Sequence, residues 1–207
     1  ERDEAFYAEL KQICTDAGVR FLCTPFGLSS ARILRSIGVD EIKIASPELN
    51  HHPLLREVAS YRKPLILSTG VARLRDIGES LDLLRTLNTA LPVQLLHCIT
   101  SYPAPEEEYN LRVIPALART FGVPVGLSDH SLDPVLVPVL ATIYGAGIVE
   151  KHITLDTADD GLDDKIALTP DRFKTMVDEV KRAASAIQEA SMSGDVELHR
   201  VTATLEG

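Results

Sequence analysis

Short apolar stretches rich in valine, isoleucine and leucine alternate along the chain with stretches of helical periodicity. The apolar stretches are VRFLCTPF, EIKIAS, PLILSTG, PVQLLHC, VPVGLSDH and GIVEKHITL, and each is typical of a buried strand. The helical patterns are ARILRSIG after Ser29 and Ser30, LLREVASYR after Pro53, residues 73–87, 111–121 and 134–144, and a long helix opened by Thr169 and Pro170. Gly38, Gly122 and Gly145 stand at expected helix ends. Apolar strands alternating with helices predict parallel strands covered by helices.

Each apolar stretch becomes polar at its C-terminal end, which is where βα barrels and doubly wound sheets place their active sites. These ends lie near Thr24, Ser46, Thr69, Cys98, His130 and His152, far enough apart for one βα unit each. No Gly-x-Gly-x-x-Gly follows a strand, which disfavours a dinucleotide-binding fold. We therefore predict an α/β fold of the TIM (β/α)8 barrel type, with six βα units in this chain.

A closed barrel of this type has eight strands, so we expect two leading βα units outside this chain. The 207 residues suit one domain, which we place at residues 1–190. Residues 191–207 are predicted to be a C-terminal tail or the start of a linker.

Composition excludes several classes of function. The chain is 45% hydrophobic and has no apolar run long enough to span a membrane, and its formal charge of −9 disfavours nucleic-acid binding. The three cysteines lack Cys-x-x-Cys spacing, so they indicate neither a disulfide framework nor a structural zinc site. We expect a cytoplasmic protein that acts on a small molecule.

Two of the strand ends carry histidine. Strand alternation puts Ser128 and His130 on one face of VGLSDH, and it puts Glu150 and His152 on one face of IVEKH. If both faces point into the mouth of a barrel, two imidazoles meet there beside a carboxylate. Two histidines with oxygen ligands suit a catalytic divalent metal such as manganese, iron, cobalt or zinc. A lone histidine is more often a satisfied buried side chain, but the matched placement favours the metal.

Lys43 lies inside the apolar strand EIKIAS, where a buried ammonium group needs an anion to offset its desolvation. Phosphate binding, carboxylate binding and Schiff-base chemistry all fit, and a lysine that reaches solvent at an edge is the alternative. Hydroxyl groups follow the strands and are candidate donors to phosphate, although each taken alone is more often a helix N-cap. They belong to Ser46, Ser68, Thr69, Thr100, Ser101 and Ser128.

Three further side chains stand near these ends. Glu48 follows Ser46 and Pro47, and either contacts a polar substrate or caps a solvated loop. Tyr102 stands before Pro103 and is placed to lay its ring or hydroxyl over a ligand. Cys98 lies in an apolar run and is predicted to be an inert buried thiol.

Several of these segments together resemble the sialic acid synthase family, the N-acetylneuraminate synthases and their relatives. The matching segments are FLCTPFG, IKIASPELNHHPLLREVA, KPLILSTG, LLHCITSYPAPEEEYNLR, VGLSDHSLD, EKHITLD and GLDD, in this order. The resemblance implies a βα barrel that condenses phosphoenolpyruvate with an N-acetylmannosamine-type sugar aldehyde to give a nonulosonic acid and phosphate. It also implies a divalent metal (Mn, Mg or Co) and a homodimer.

The resemblance further implies roles for individual residues. His130 and His152 bind the metal, and Glu150 is an acid or base near the attacking water. Lys43, Ser46, Ser68 and Ser128 hold phosphate and carboxylate, Thr100 and Tyr102 line the pocket, and Asp163 binds substrate. Two alternatives stay open: a Schiff-base aldolase that uses Lys43, and a non-catalytic barrel that binds a ligand without turning it over.

Overall fold

A computed structural model describes residues 3–190 and 202–204 of the chain, which divides into two compact units, residues 1–94 and 95–207. The predicted tail at 191–207 therefore lies outside the described residues, apart from residues 202–204. Each unit alternates helices with parallel strands, as the sequence predicts.

From residue 3 onwards, where the description begins, the first unit contains two strands and four α-helices. They are α1 (Glu4–Asp16), α2 (Leu28–Ser36), β1 (Ile42–Ile44), α3 (His52–Ala59), β2 (Leu65–Ser68) and α4 (Leu74–Leu87). Strands β1 and β2 pair in parallel, with Lys43 opposite Ile66. All residues of both strands are buried, so both faces are covered. The apolar face of α3 is buried as well, and α3 packs against α2 and α4.

The predicted first strand, VRFLCTPF, is wrong. Within the described part of the chain this segment forms only one isolated bridge, between Cys23 and Ile42. A strand needs a run of ladder hydrogen bonds, and Pro25, two residues after the bridge, has no N–H to donate. The apolar pattern indicated a buried strand, but only Pro25 in this segment is buried, and Val19 and Phe26 are more than half exposed. The other five predicted strands all form, so the count of six βα units is not confirmed.

Within the described residues, the second unit holds the remaining strands and three α-helices. They are β3 (Val93–Cys98, which begins at the unit boundary), α5 (Val113–Phe121), β4 (Val125–Asp129), α6 (Leu136–Ile143), β5 (Val149–His152), α7 (Pro170–Ala190) and β6 (Thr202–Thr204). Neighbouring strands from β3 to β6 pair in parallel. The register sets Ser128 opposite Glu150 and Asp129 opposite Lys151. The polar ends of β4 and β5 therefore lie side by side.

The helix limits follow the sequence signals with shifts of up to three residues. Helix α2 begins at Leu28, so Ser30 is inside it, and its hydroxyl donates to the Gly27 carbonyl instead of capping the helix. Gly122 ends α5 in the left-handed conformation, with φ of 66°. Gly126 has a different role, because a Cβ atom there would lie 2.6 Å from the Ile148 carbonyl oxygen. Only glycine allows this close approach to β5.

The long helix α7 packs its apolar face onto β5. Val149, Leu168, Met176 and Val180 form a buried cluster, with Phe173 and Val177 packed against it. Since His152 is the last residue of β5, this cluster anchors a strand that carries candidate chemistry. No helix in the described ranges is long and apolar enough to cross a membrane.

Candidate active site

The imidazoles of His130 and His152 meet at the C-terminal ends of neighbouring strands. His130 directly follows the last residue of β4, and His152 is the last residue of β5. Their ring centroids are 5.3 Å apart, with the ring planes tilted by 44°. His130 is 3% exposed, whereas His152 is partly exposed. The alternation inferred from the sequence therefore brings both rings to one place.

The hydrogen bond of His130 assigns its tautomer. Its Nδ1 lies 2.9 Å from the carbonyl oxygen of Ile99. Because a carbonyl oxygen only accepts, Nδ1 carries the hydrogen and Nε2 carries the lone pair when the ring is neutral. Burial lowers the pKa of His130 below its ordinary value, although the Ile99 carbonyl opposes this. The neutral ring directs Nε2 towards Ser128, whose Oγ is 3.5 Å away.

Tyr102 covers the two imidazoles. Its ring centroid lies 4.2 Å from that of His130 and 6.0 Å from that of His152. The tyrosine itself is 50% exposed, and Thr100, in the same loop, is also exposed. Tyr102 thus lies between the histidines and solvent. Cys98 is buried with its sulfur 4.0 Å from Nδ1 of His130, as expected for a thiol within the apolar run.

Ser128 and Glu150 form a direct contact beside the histidines. The Ser128 hydroxyl donates to Oε1 of Glu150 at 2.7 Å, across paired positions of β4 and β5. A hydroxyl has one hydrogen, so a ligand that takes a hydrogen bond from Ser128 competes with Glu150 for it. The contact also holds the Glu150 carboxylate within reach of the space in front of the imidazoles.

Asp163 approaches His152 from the loop after β5. Its Oδ2 lies 3.6 Å from Nδ1 of His152. The next residue, Asp164, instead accepts a hydrogen bond of 2.8 Å from the Gly161 N–H and closes a tight turn. Of the two adjacent carboxylates, Asp163 is therefore the one near the histidines.

The first unit carries a second group of the predicted residues. Lys43 is 7% exposed on β1, and Ser68 is 3% exposed at the end of β2. The Ser68 hydroxyl is buried and has no hydrogen-bond partner among the described residues. Ser46 Oγ accepts from the Gly70 N–H at 2.8 Å, and Glu48 lies 2.5 Å from Nδ1 of His51. A buried hydroxyl without a partner is costly unless a ligand or water meets it.

The donor atoms near His130 and His152 fit a divalent cation that keeps open positions. The described residues contain no group of three or more histidine, cysteine, aspartate or glutamate side chains that converge as a metal site. Two imidazoles are present, and the assigned tautomer of His130 leaves Nε2 able to bind. Oxygen atoms of a ligand or of water would complete such a site.

Behind the histidines lies a buried polar network that the sequence analysis missed. On the opposite face of β4 and β5, Asp129 and Lys151 form an ion pair at 2.7 Å, and both side chains are fully buried. The Tyr109 hydroxyl donates to the other oxygen of Asp129 at 2.7 Å. The Ser131 hydroxyl also donates to Asp129, at 3.1 Å. Opposite charges at the ends of adjacent predicted strands were the available signal for this pair.

Burial lowers the pKa of one member of this network, Lys151, and raises the pKa of another, Tyr109. It lowers the pKa of Lys151, although the adjacent Asp129 opposes the shift. Burial, followed by the negative charge of Asp129, raises the pKa of Tyr109. Tyr109 therefore keeps its hydroxyl hydrogen and remains a donor to Asp129.

Comparison with known proteins shows the family of the chain. The family model described as the NeuB family matches residues 1–192. The chain belongs to the NeuB family. A NeuB relative, the N,N'-diacetyllegionaminic acid synthase of Legionella pneumophila, is 34% identical over 190 residues, which cover 90% of this chain and 53% of that protein.

Solved structures agree with the NeuB assignment. The spore coat polysaccharide biosynthesis protein SpsE of Bacillus subtilis matches with a TM-score of 0.88 and 36% identity over 97% of this chain and 56% of that one. The N-acetylneuraminic acid synthetase of Leptospira borgpetersenii matches with a TM-score of 0.87 and 31% identity, over 94% of this chain and 67% of that one. The likeness to both solved structures covers nearly the whole chain and therefore includes its parallel α/β architecture. The chain spans about half the length of the curated relatives that it matches.

Proposed function

We propose that the protein containing this chain condenses phosphoenolpyruvate with the open-chain aldehyde of an N-acetylmannosamine-type sugar. The products are a nonulosonic acid and inorganic phosphate. The observation that carries this proposal is the pair of imidazoles at 5.3 Å, at adjacent strand ends in a NeuB chain. The names of the relatives support the product class, because they are synthases of N,N'-diacetyllegionaminic acid and N-acetylneuraminic acid.

His130 and His152 are the proposed metal ligands. A manganese, magnesium or cobalt ion bound there would act as a Lewis acid towards the sugar aldehyde. Tyr102 shields the imidazoles on the solvent side and, with Thr100, lines the path of the ligand. Asp163, at 3.6 Å from His152, is positioned to accept a hydrogen bond from a sugar hydroxyl.

Glu150 is the proposed acid or base. In the reaction, C3 of phosphoenolpyruvate bonds to the aldehyde carbon, water adds to C2, and phosphate leaves. The attacking water loses a proton, and a carboxylate near the imidazoles is the group suited to take it. In the absence of ligand, the hydrogen bond from Ser128 holds this carboxylate in place, and phosphoenolpyruvate would compete with Glu150 for the single Ser128 hydrogen when its carboxylate binds there.

Lys43, Ser46 and Ser68 are the proposed phosphate and carboxylate ligands. The buried Lys43 ammonium supplies positive charge, and the buried Ser68 hydroxyl has no protein partner in the described part of the chain. Ser46 accepts one hydrogen bond from Gly70 and still has a hydrogen to donate. Glu48, paired with His51, is proposed to contact the polar substrate. The Lys43 ammonium and the hydroxyls of Ser46 and Ser68 are the donors that a doubly charged phosphate needs.

Two further properties concern the location and the assembly of the protein. We propose a cytoplasmic location because none of Cys14, Cys23 and Cys98 forms a disulfide within the described residues. The homodimer stays a prediction from the family resemblance.

The proposal is tested by phosphate release. The natural protein is incubated with phosphoenolpyruvate and a panel of sugars that carry one or two acetamido groups, with and without Mn²⁺, and the products are analysed by mass spectrometry. We expect phosphate and one sugar-dependent product whose mass equals the sugar plus pyruvate. A Lys43→Met variant should lose most of this activity, whereas Lys63→Met should retain it, because Lys63 belongs to none of the groups described above. Absence of phosphate release with every sugar and metal contradicts the proposal.

The buried Lys43 is also a candidate for Schiff-base chemistry, in which its amine would form an imine with the carbonyl of pyruvate. The Schiff-base mechanism forms a covalent imine between Lys43 and pyruvate, whereas the condensation with phosphoenolpyruvate forms no such adduct. Borohydride added with pyruvate should label Lys43 only if an imine forms there. Labelling at Lys43 without phosphate release favours the aldolase, and ligand binding with neither result favours a non-catalytic barrel.

A further inference from the structure

The main chain of His130, which directly follows β4, has hydrogen-bond partners that the sheet does not supply. The ladder between β4 and β5 ends at the pair Asp129 and Lys151, so the N–H of His130 has no strand partner there. The residue is 3% exposed, and a buried N–H without a partner costs about 1–3 kcal/mol. Another group must therefore accept this hydrogen.

The segment 99–109, which follows β3, binds His130 at three separate atoms. The Tyr109 hydroxyl oxygen accepts from the His130 N–H at 2.7 Å. The Ala104 N–H donates to the His130 carbonyl oxygen at 2.9 Å, and the Ile99 carbonyl accepts from Nδ1 of the ring. Of the three contacts, only the one from Tyr109 comes from a side chain.

The Tyr109 hydroxyl is itself held on two sides. It donates its hydrogen to Asp129, whose carboxylate is in turn bound by Lys151 and Ser131. The lone pair of the Tyr109 oxygen therefore faces the His130 N–H. The main-chain carbonyl of Tyr109 accepts a hydrogen bond of 2.6 Å from the buried ring of His97 on β3. With 1% exposure, the tyrosine has little freedom to move.

We propose that Tyr109 is a positioning residue, whose hydroxyl fixes the main chain of His130 so that the imidazole stays beside His152. Asp129 and Lys151 orient that hydroxyl and do not touch the ligand. The role in catalysis rests on the proposed function, because the position of the imidazole affects turnover only if His130 binds the reacting complex. The effect on His130 itself does not depend on any reaction.

Tyr109→Phe is the direct test, because it removes one oxygen and keeps the ring. Tyr61→Phe is the matched control: its hydroxyl also donates to a carboxylate, at 2.8 Å from Glu57, but within helix α3 and its end. The natural protein and both variants are compared for Mn²⁺ affinity, for kcat and KM of phosphate release, and for the imidazole nitrogen signals of His130 in NMR spectra. The unfolding midpoint is measured in parallel.

We expect Tyr109→Phe to weaken Mn²⁺ binding by about tenfold or more and to lower kcat more than it raises KM. The His130 signals should change from one tautomer to a mixture, and Tyr61→Phe should match the natural protein in all three measurements. A lower unfolding midpoint with unchanged Mn²⁺ affinity and unchanged His130 signals would show a merely structural role and would overturn the proposal.

Two further results distinguish a failure of the proposed function from a failure of the positioning role of Tyr109. If the natural protein releases no phosphate while Tyr109→Phe still changes the His130 signals, the proposed function fails and the positioning role stands. If Tyr109→Phe does not fold, hydrogen exchange in the natural protein decides. Slow exchange of the His130 amide supports its bond to Tyr109, and exchange at the rate of an exposed amide overturns it.

Discussion

Asp129 and Lys151 meet at 2.7 Å with both side chains fully buried, on the face of β4 and β5 opposite to the histidines. Removing one partner of such a pair leaves an uncompensated charge away from water. We therefore expect Lys151→Met to lower the free energy of unfolding by about 3–5 kcal/mol, measured by urea denaturation.

The matched control is Lys174→Met. Lys174 pairs with Asp178 one helical turn away, but both side chains are mostly exposed. Exposed pairs of this kind contribute about 0.3–0.5 kcal/mol, so the free energy of unfolding of Lys174→Met should stay close to that of the natural protein. Equal losses of unfolding free energy in Lys151→Met and Lys174→Met would mean that the buried pair stabilises the fold no more than the exposed pair does.

Tyr102 contacts His130 through its ring, at 4.2 Å between centroids. Aromatic contacts of this type contribute about 0.5–1.5 kcal/mol, which corresponds to a change of up to about tenfold. We predict that Tyr102→Ala lowers kcat/KM for phosphate release by about that factor, while Tyr102→Phe keeps most of the activity. The control is Tyr144→Ala, at the end of α6, which should behave like the natural protein. Equal losses in the Ala and Phe variants would assign the effect to the Tyr102 hydroxyl instead.

His97 predicts a dependence of stability on pH. Burial lowers its pKa below the ordinary value of 6.5, so the unfolded chain takes up a proton more readily than the folded one. The contribution of His97 to the free energy of unfolding is therefore complete above pH 6.5. It is lost as the pH falls through the pKa that His97 has in the folded protein. His97→Gln should reduce this acid-induced loss, measured by urea unfolding on both sides of pH 6.5. The amide of glutamine can still donate to Tyr109, and an unchanged pH profile would contradict the assignment.

Strand alternation predicted the meeting of His130 and His152, because parallel neighbours with the same polar end bring equivalent faces together. The buried position of Lys43 followed from its apolar neighbours in the same way. Local pattern was sufficient in these cases because each feature lies within a strand or between adjacent strands.

The pattern failed where a structure depends on distant partners. VRFLCTPF has the apolar content of a strand, but only Cys23 forms a bridge, and content alone does not reveal this. The role of Tyr109 depends on a loop that returns to β4, so its hydroxyl lies 2.7 Å from both Asp129 and the His130 amide. No periodicity in the segment EEEYNLR signals that return.

His130 and His152 are proposed to work as one centre, and a double-mutant cycle tests this most directly. The value of kcat/KM for sugar-dependent phosphate release is measured for the natural protein, His130→Gln, His152→Gln and the double variant. Residues that act as a unit are strongly non-additive, so the double variant should be no less active than the worse single variant. Losses that add to within about 0.5 kcal/mol, or full activity in either single variant, would contradict the account.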